Sequence, residues 1–169
     1  MAIRTGISLG SNLGNRLANL RDARDMLVRL NPTGASFKQS SIYQTDPVGC
    51  PSNSPDFYNA VIEIDYIGTP HDLLSSVQGI EWHLGRVPTA ERNAPRKIDL
   101  DILYFGDTIM DEDVLTLPHP RLTDRRFVLN PLADISPQLI LPGDVSTVSE
   151  HLRKLDTDEP EPSLVQSMW

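Results

Sequence analysis

The chain has one cysteine, Cys50, among its 169 residues. A single cysteine excludes an internal disulfide and a zinc site built from cysteines. The chain also lacks an apolar run long enough to cross a membrane, and residues 1–10 have neither the basic start nor the apolar centre of a signal peptide. We therefore expect a cytoplasmic protein in which Cys50 is a passive loop residue.

Basic residues are scarce, with 15 lysines and arginines against 23 aspartates and glutamates and a net charge of -8. This balance argues against nucleic-acid binding, which requires an extended basic surface. A small anion such as ATP can still enter a locally basic pocket, because salt screens remote charges beyond ~8 to 10 Å. We expect small-molecule substrates, no nucleic-acid or membrane partner, and a monomer.

The length suits one compact domain, and the acidic residues concentrate near the end of the chain. Over residues 156–162, aspartates and glutamates alternate with prolines and no apolar period is present. Such a composition is typical of disorder. The sequence predicts a single domain over residues 1–155 and a disordered acidic tail over residues 156–169.

The apolar pattern predicts strands near residues 3–9, 37–44, 57–66 and 98–105, with helices over about 16–30 and 70–84. Asn15 is a candidate cap for the first helix, and Thr69 with Asp72 for the second. This order predicts a ferredoxin-like α+β fold, in which helices cover one face of an antiparallel sheet. The loops over 45–56 and 85–97 have no apolar period, which favours a binding role. A short helix is expected over about 124–129.

Two aspartates alternate with apolar residues in the segment from Ile98 to Phe105. A strand period of two places Asp99 and Asp101 on one face, with α-carbons about 6.6 Å apart. The same period places Tyr104 on the strand face of Ile98, and it places Phe105 on the strand face of the two aspartates. Two such carboxylates can hold one hard cation or a pair of them. The alternative is an exposed strand face with two solvated acids, but the apolar residues that follow directly favour a central strand.

The residues before this strand are basic: Arg86, Arg92, Arg96 and Lys97. Magnesium held by two carboxylates keeps positions open for phosphate oxygens, and arginines can bind the same phosphates. This arrangement favours phosphoryl or pyrophosphoryl transfer. The alternative is that the basic residues only neutralise the aspartates, although Pro95 stiffens a loop longer than that role needs.

The segment APRKIDLDIL, residues 94–103, resembles the signature of the 6-hydroxymethyl-7,8-dihydropterin pyrophosphokinases of folate biosynthesis. Four more segments match that family in order over residues 3–143: GSNL (10–13), YQTDPVG (43–49), PDFYNA (55–60) and LPHP (117–120). Five segments in register make the resemblance specific.

The resemblance implies a role for individual residues of this chain. Arg86, Arg96, Asp99 and Asp101 would be catalytic, and the two aspartates would hold two Mg²⁺ ions bridging ATP and the substrate hydroxyl. The ATP site would contain Gln78, Glu81, Arg92, Ile102, His119 and Arg125. The pterin pocket would contain Thr45, Val48, Phe57, Asn59 and Phe127. Asn12 would support these residues without lining the pocket itself.

The resemblance is incomplete in the basic loop, where Pro88 and Thr89 occupy positions that are basic in well-studied relatives. Lys97 and Arg121 are candidates to compensate for them. The implied reaction is ATP-dependent pyrophosphoryl transfer to the hydroxymethyl group of 6-hydroxymethyl-7,8-dihydropterin, with AMP as the second product. The alternatives are a catalytically weak nucleotide or pterin-binding homologue and a two-metal phosphodiesterase, which would require more metal ligands than one D-x-D pair.

Overall fold

The structure is a computed structural model that describes residues 1–89 and 91–169. The strands are β1 (Ile3–Ser11), β2 (Lys38–Gln39), β3 (Ile42–Thr45), β4 (Phe57–Tyr66), β5 (Asp99–Phe105), β6 (Met110–Asp111), β7 (Thr116–Leu117) and β8 (Ser163–Gln166). The helices are α1 (Arg16–Val28), α2 (Pro70–His83), α3 (Arg126–Ile135) and α4 (Val148–Lys154), with a 3-10 turn at Leu122–Asp124.

The main sheet has the antiparallel strand order β5-β1-β4-β3, and β8 adds to the outer edge of β3. The short strand β2 also pairs with β4, while β6 and β7 form a separate hairpin. Two strand-helix-strand units in this order form a ferredoxin-like sheet, so the predicted fold class is confirmed.

Local sequence signals begin both long helices where they were predicted. The Asn15 side chain accepts a hydrogen bond from the Ala18 amide at the start of α1. At the start of α2, Thr69 and Asp72 form a capping box, which satisfies backbone N–H groups that the helix cannot pair itself. Among the described helices, none is long and apolar enough to span a membrane.

The two faces of the sheet are covered by different helices. Leu20, Leu27, Leu73 and Val77 of α1 and α2 pack on one face against β-strand residues such as Ile62. Helices α3 and α4 pack on part of the opposite face and form a second apolar cluster: Val61, Leu103, Tyr104, Leu122, Val128, Leu129, Leu132, Leu141 and Val148. The uncovered remainder of this second face is where the candidate site lies.

A bulge in β5 makes the face prediction wrong for its last residues. Ile102 pairs with Ile7 and Tyr104 with Gly6, so Leu103 has no partner in β1. The additional residue reverses the alternation, since two bulge residues face one on the neighbouring strand. Tyr104 therefore packs in the α3/α4 cluster, and Phe105 packs in the α1/α2 core.

The end of the chain differs from the predicted disordered tail. Residues 163–166 form β8 on β3, and the indole N–H of Trp169 donates to the Ser40 carbonyl at 2.7 Å. The guanidinium of Arg24 also lies 5.1 Å from the Trp169 ring. The acidic composition of residues 156–162 predicted disorder for the whole tail. Composition could not show that the apolar residues after this segment reach an unpaired sheet edge.

Candidate functional site

Asp99 and Asp101 face a cavity of about 460 Å³ on the sheet face opposite α1 and α2. On the neighbouring strand β1, Asp99 lies beside Gly10 and Asp101 lies beside Ser8. These two small residues also line the cavity and leave its floor open. The predicted common orientation of the two carboxylates is therefore present in the structure.

The two carboxylates have different environments. Asp99 pairs with Arg86 at 2.9 Å and with Arg96 at 3.4 Å. Asp101 has no ion pair or hydrogen bond within the part of the chain that the structure describes. Burial and the neighbouring charge of Asp99 raise the pKa of Asp101 to about 6. The arginines thus neutralise Asp99, as the alternative interpretation required, but they leave Asp101 without a direct partner.

One side of the cavity is basic and is formed by Arg92, Arg96, Arg121 and Arg125. Burial and then the charge of Arg121 lower the pKa of the Arg125 guanidinium from its usual value. Like charges converge here, and an anion would relieve their repulsion. The structure thus brings Arg92, Arg96 and Arg125 together and adds Arg121 to them.

His119 is held beside this basic side by two backbone contacts. Its amide donates to the carbonyl of the bulged residue Leu103 at 2.8 Å, and its Nδ1 accepts from the Arg121 amide at 3.1 Å. Burial and the charges of Arg125 and Arg121 lower the pKa of His119. The neutral ring therefore carries its proton on Nε2, which is available as a donor.

The cavity wall also contains flat and amide side chains, and these lie close to the arginines. Phe57, Asn59, Phe127 and Val48 line it, and Asn59 Nδ2 donates to Thr45 Oγ1 at 2.6 Å. The guanidinium of Arg96 lies 5.6 Å from the Phe57 ring, and that of Arg125 lies 5.4 Å from the Phe127 ring. Four of the five residues predicted for the pterin pocket therefore line this cavity, and the fifth, Thr45, contacts it only through its hydrogen bond with Asn59.

The predicted ATP residues do not all lie together. Gln78 and Glu81 line a second cavity of about 310 Å³, together with Trp82, Arg86 and Pro88. Ile102 was also predicted for the ATP site, and its side chain is buried in the α1/α2 core. Only the backbone of Ile102 can reach a ligand, since its position in β5 turns the side chain away from the face of Asp101.

The cavity also contains residues outside the implied ATP and pterin sets: Asp46, Gly49, Cys50, Asn93 and Arg121. Four of these lie in the two long loops, so the predicted binding role of the loops was the available signal. Asn93 Nδ2 donates to the Gly49 carbonyl at 2.8 Å and joins the two loops. Arg121 was named from the sequence only as a candidate to compensate for Pro88 and Thr89.

The protein donors for a metal at this site are the two carboxylates of Asp99 and Asp101. Across residues 1–89 and 91–169, no group of three or more histidine, cysteine, aspartate or glutamate side chains is placed to hold a metal ion. Mg²⁺ commonly binds through one or two carboxylates, with phosphate and water oxygens as its other ligands. The donor set therefore fits Mg²⁺ bound with a phosphate and does not fit zinc.

The chain is similar to proteins of known family. Residues 6–137 match the family described as 7,8-dihydro-6-hydroxymethylpterin-pyrophosphokinase. A protein from Pseudomonas aeruginosa named 2-amino-4-hydroxy-6-hydroxymethyldihydropteridine pyrophosphokinase is 42% identical over 142 residues, which cover 84% of this chain and 86% of that protein. One of the same name from Methylorubrum extorquens is 40% identical over 153 residues, which cover 90% and 94%.

Some similar proteins are much longer than this chain. Folic acid synthesis protein fol1 of Pneumocystis carinii is 38% identical over 159 residues, yet the chain spans only 21% of its length. Among solved structures, Plasmodium falciparum HPPK-DHPS wild type with pterin and p-hydroxybenzoate has a TM-score of 0.69 at 16% identity, covering 91% of this chain and 43% of that one. At this identity the similarity shows the fold alone.

Proposed function

This chain belongs to the 7,8-dihydro-6-hydroxymethylpterin-pyrophosphokinase family, and we propose that it transfers a pyrophosphoryl group from ATP to 6-hydroxymethyl-7,8-dihydropterin. The acceptor is the hydroxymethyl oxygen, and the products are AMP and the pterin diphosphate, a step of folate biosynthesis. The resemblance drawn from the sequence is confirmed at the level of the family.

The observation that carries this proposal is the mixed lining of the large cavity. Asp99 and Asp101 share it with arginines, two aromatic rings and an amide, and Arg96 lies 5.6 Å from the Phe57 ring. Arginines are suited to phosphate oxygens, and Phe57 and Phe127 offer flat faces for a heterocycle whose edge Asn59 can pair with. The acceptor hydroxyl would then lie near the two carboxylates, where the phosphates and the pterin meet.

We further propose that Asp99 and Asp101 hold two Mg²⁺ ions together with the triphosphate. The raised pKa of Asp101 supports this assignment, because a cation would offset the repulsion from Asp99. Bound Mg²⁺ would neutralise charge on the phosphate oxygens during transfer. The two carboxylates would position the Mg²⁺ ions. No covalent enzyme intermediate is required, since the substrate oxygen is the nucleophile.

The basic residues would bind the phosphates that Mg²⁺ leaves exposed. Arg86 and Arg96 contact Asp99 in the structure, so each would exchange part of this pairing for phosphate oxygens. His119 would donate a hydrogen bond from Nε2, because its Nδ1 is already occupied by the Arg121 amide. These donors are held before the substrate arrives, which is how fixed charges stabilise a transition state.

The loop over residues 85–97 carries two uncharged residues where well-studied relatives have basic ones. Pro88 and Thr89 are exposed, and Thr89 Oγ1 accepts a hydrogen bond from the Glu91 amide at 3.2 Å. Arg121 lines the large cavity and is the better placed of the two candidates for compensation. A lost charged contact costs about 1.5 to 3 kcal/mol, so slower turnover and not a different reaction is expected.

Family membership favours the transferase over the two alternatives raised by the sequence. A phosphodiesterase would require more metal ligands than Asp99 and Asp101. We also propose that the protein acts as a cytoplasmic monomer, and its net charge of -8 supports the monomer because like-charged copies repel each other.

The test is AMP release with ATP, Mg²⁺ and a panel of pterins. We expect AMP only when ATP and 6-hydroxymethyl-7,8-dihydropterin are both present, together with an equal amount of pterin diphosphate. AMP or ADP formed without a pterin would identify a hydrolase. Binding of both ligands without any AMP would identify a sensor, and either result would overturn the proposal.

A further inference from the structure

The second cavity has an unusual wall. Trp82 is 71% exposed, although tryptophan residues are highly buried on average. It lies beside Gln78, Glu81, Arg86 and Pro88 around a space of about 310 Å³. The roles already assigned do not use this ring.

The geometry of α2 brings the polar residues of this cavity beside the ring. Gln78 and Trp82 are four residues apart, so their side chains are neighbours on consecutive turns of one helical face. Glu81 is three residues after Gln78 and is buried, with 7% of its surface exposed. An amide and a carboxylate therefore line the same space as a flat aromatic face.

Arg86 connects this cavity with the phosphate site. Its side chain contacts the Glu81 carboxylate and also pairs with Asp99 at 2.9 Å. A ligand that places phosphates beside Asp99 and Arg86 can extend past Arg86 into the space beside Trp82. The second cavity is thus positioned for the other end of the nucleotide.

We propose that Trp82 is a stacking platform for the adenine ring of ATP, an assignment that rests on the proposed function. The indole supplies a flat face, while the Gln78 amide and the Glu81 carboxylate can pair with polar atoms on the edge of the base. Stacking of a base on an aromatic side chain is worth roughly tenfold in affinity.

The same contact explains how the chain tolerates Pro88. The resemblance places a phosphate-binding arginine at this position, and the structure instead places an uncharged ring beside Trp82. In this chain the contact to the base would replace affinity that relatives draw from phosphate. Binding should consequently depend more on the base than on the charge of the phosphates.

The test compares ATP with inorganic tripolyphosphate, each with Mg²⁺, by calorimetry. We expect Trp82→Ala to weaken ATP binding about tenfold and to leave tripolyphosphate binding unchanged, with Trp82→Phe retaining most of the affinity. The control is His83→Ala, which changes the adjacent exposed residue of α2 and lies outside the cavity. Saturating ATP should also quench tryptophan emission in the parent and in His83→Ala, but not in Trp82→Phe.

Two results would overturn the proposal. Unchanged ATP affinity in Trp82→Ala would show that the ring does not contact the base. Equal losses for ATP and tripolyphosphate would show that Trp82 shapes the phosphate site or the fold instead. AMP release by the parent is measured separately, so a protein that binds ATP through Trp82 but forms no AMP would contradict the proposed function alone.

Discussion

Asn12 and Arg96 are joined by two hydrogen bonds across 84 positions of sequence. The backbone amide of Arg96 donates to the side-chain oxygen Oδ1 of Asn12 at 2.9 Å, and the backbone amide of Asn12 donates to the Arg96 carbonyl at 3.2 Å. Asn12 Nδ2 also donates to the Pro55 carbonyl at 3.2 Å. One buried side chain after β1 therefore holds the ends of both long loops that surround the large cavity.

Asn12→Ala should loosen both loops and lower turnover. The change leaves the Arg96 amide and the Pro55 carbonyl without their partner, at a cost of about 1 to 3 kcal/mol in the free energy of unfolding. Hydrogen exchange at the Arg96 amide should become faster. Asn12→Asp retains the acceptor for Arg96 and should keep that amide protected. Slow exchange in Asn12→Ala would contradict the positioning role.

Asp99→Ala and Asp101→Ala should each abolish turnover, because either change removes one of the two carboxylates proposed to hold Mg²⁺ beside the phosphates. Folding should survive, since neither side chain belongs to an apolar cluster. The measurement is AMP release, with circular dichroism to verify the fold. Asp113→Ala, in the exposed turn between β6 and β7, is the control. Activity within a few-fold of the parent would make the metal assignment wrong.

Asp101→Asn should stabilise the metal-free protein at neutral pH. The pKa of Asp101 is about 6 in the fold and 3.8 without it. The native state thus binds this proton more tightly than the unfolded chain, and stability falls as pH rises from about 4 to 6. The gain of the variant at pH 7.5 should be at most about 3 kcal/mol.

At pH 3 the parent carboxyl is mostly protonated in both the folded and the unfolded state, so parent and variant should have nearly equal stability. Denaturant unfolding in a chelator at both pH values measures the difference. A variant no more stable than the parent at pH 7.5 would show that Asp101 is already neutralised in the fold.

Arg86→Ala and Arg96→Ala should lower turnover more than ATP affinity. Both guanidinium groups already pair with Asp99, so we expect them to gain their strongest contacts only when charge builds on the transferring group. Single-turnover rates and calorimetry separate the two quantities, and Arg21→Ala on the exposed side of α1 is the control. ATP affinity that collapses in step with turnover would identify ordinary ground-state anchors.

The loops over residues 45–56 and 85–97 should close together when ATP and the pterin are both bound. Their contact between Asn93 and Gly49 couples them, and closure would exclude water from the activated phosphates. Hydrogen exchange in both loops should be fast in the free protein, slower with a non-hydrolysable ATP analogue, and slowest in the ternary complex. Strong protection without ligand would contradict closure while leaving the chemical assignment intact.

Sequence predicted the fold best where structure depends on neighbours in the chain. The caps at Asn15 and Thr69 and the strand Phe57–Tyr66 are present as predicted. Helix α3 runs on to Ile135 past Pro131, where the pattern indicated an end near residue 129. Its apolar side is buried against the sheet, and that burial outweighs the local cost of the proline.

In the candidate site, too, the sequence predicted what depends on neighbours in the chain and not what depends on distant contacts. The spacing of Asp99 and Asp101 determined that they share a face, because side chains alternate along any strand. It could not determine that a bulge after Ile102 would turn Tyr104 to the opposite face. The spacing also could not determine that the Ile102 side chain would be buried against α1 and α2, which leaves its backbone for the predicted ATP site.

By itself the sequence determined the family, the order of strands and helices, and the pair of carboxylates, all of which depend on residue type and short spacing. Only the tertiary structure decided that Arg121 joins the basic side, that Trp82 faces a cavity, and that residues 163–166 complete the sheet. These contacts join residues far apart in the chain. Their energies come from packing and charge in three dimensions, which no local pattern contains.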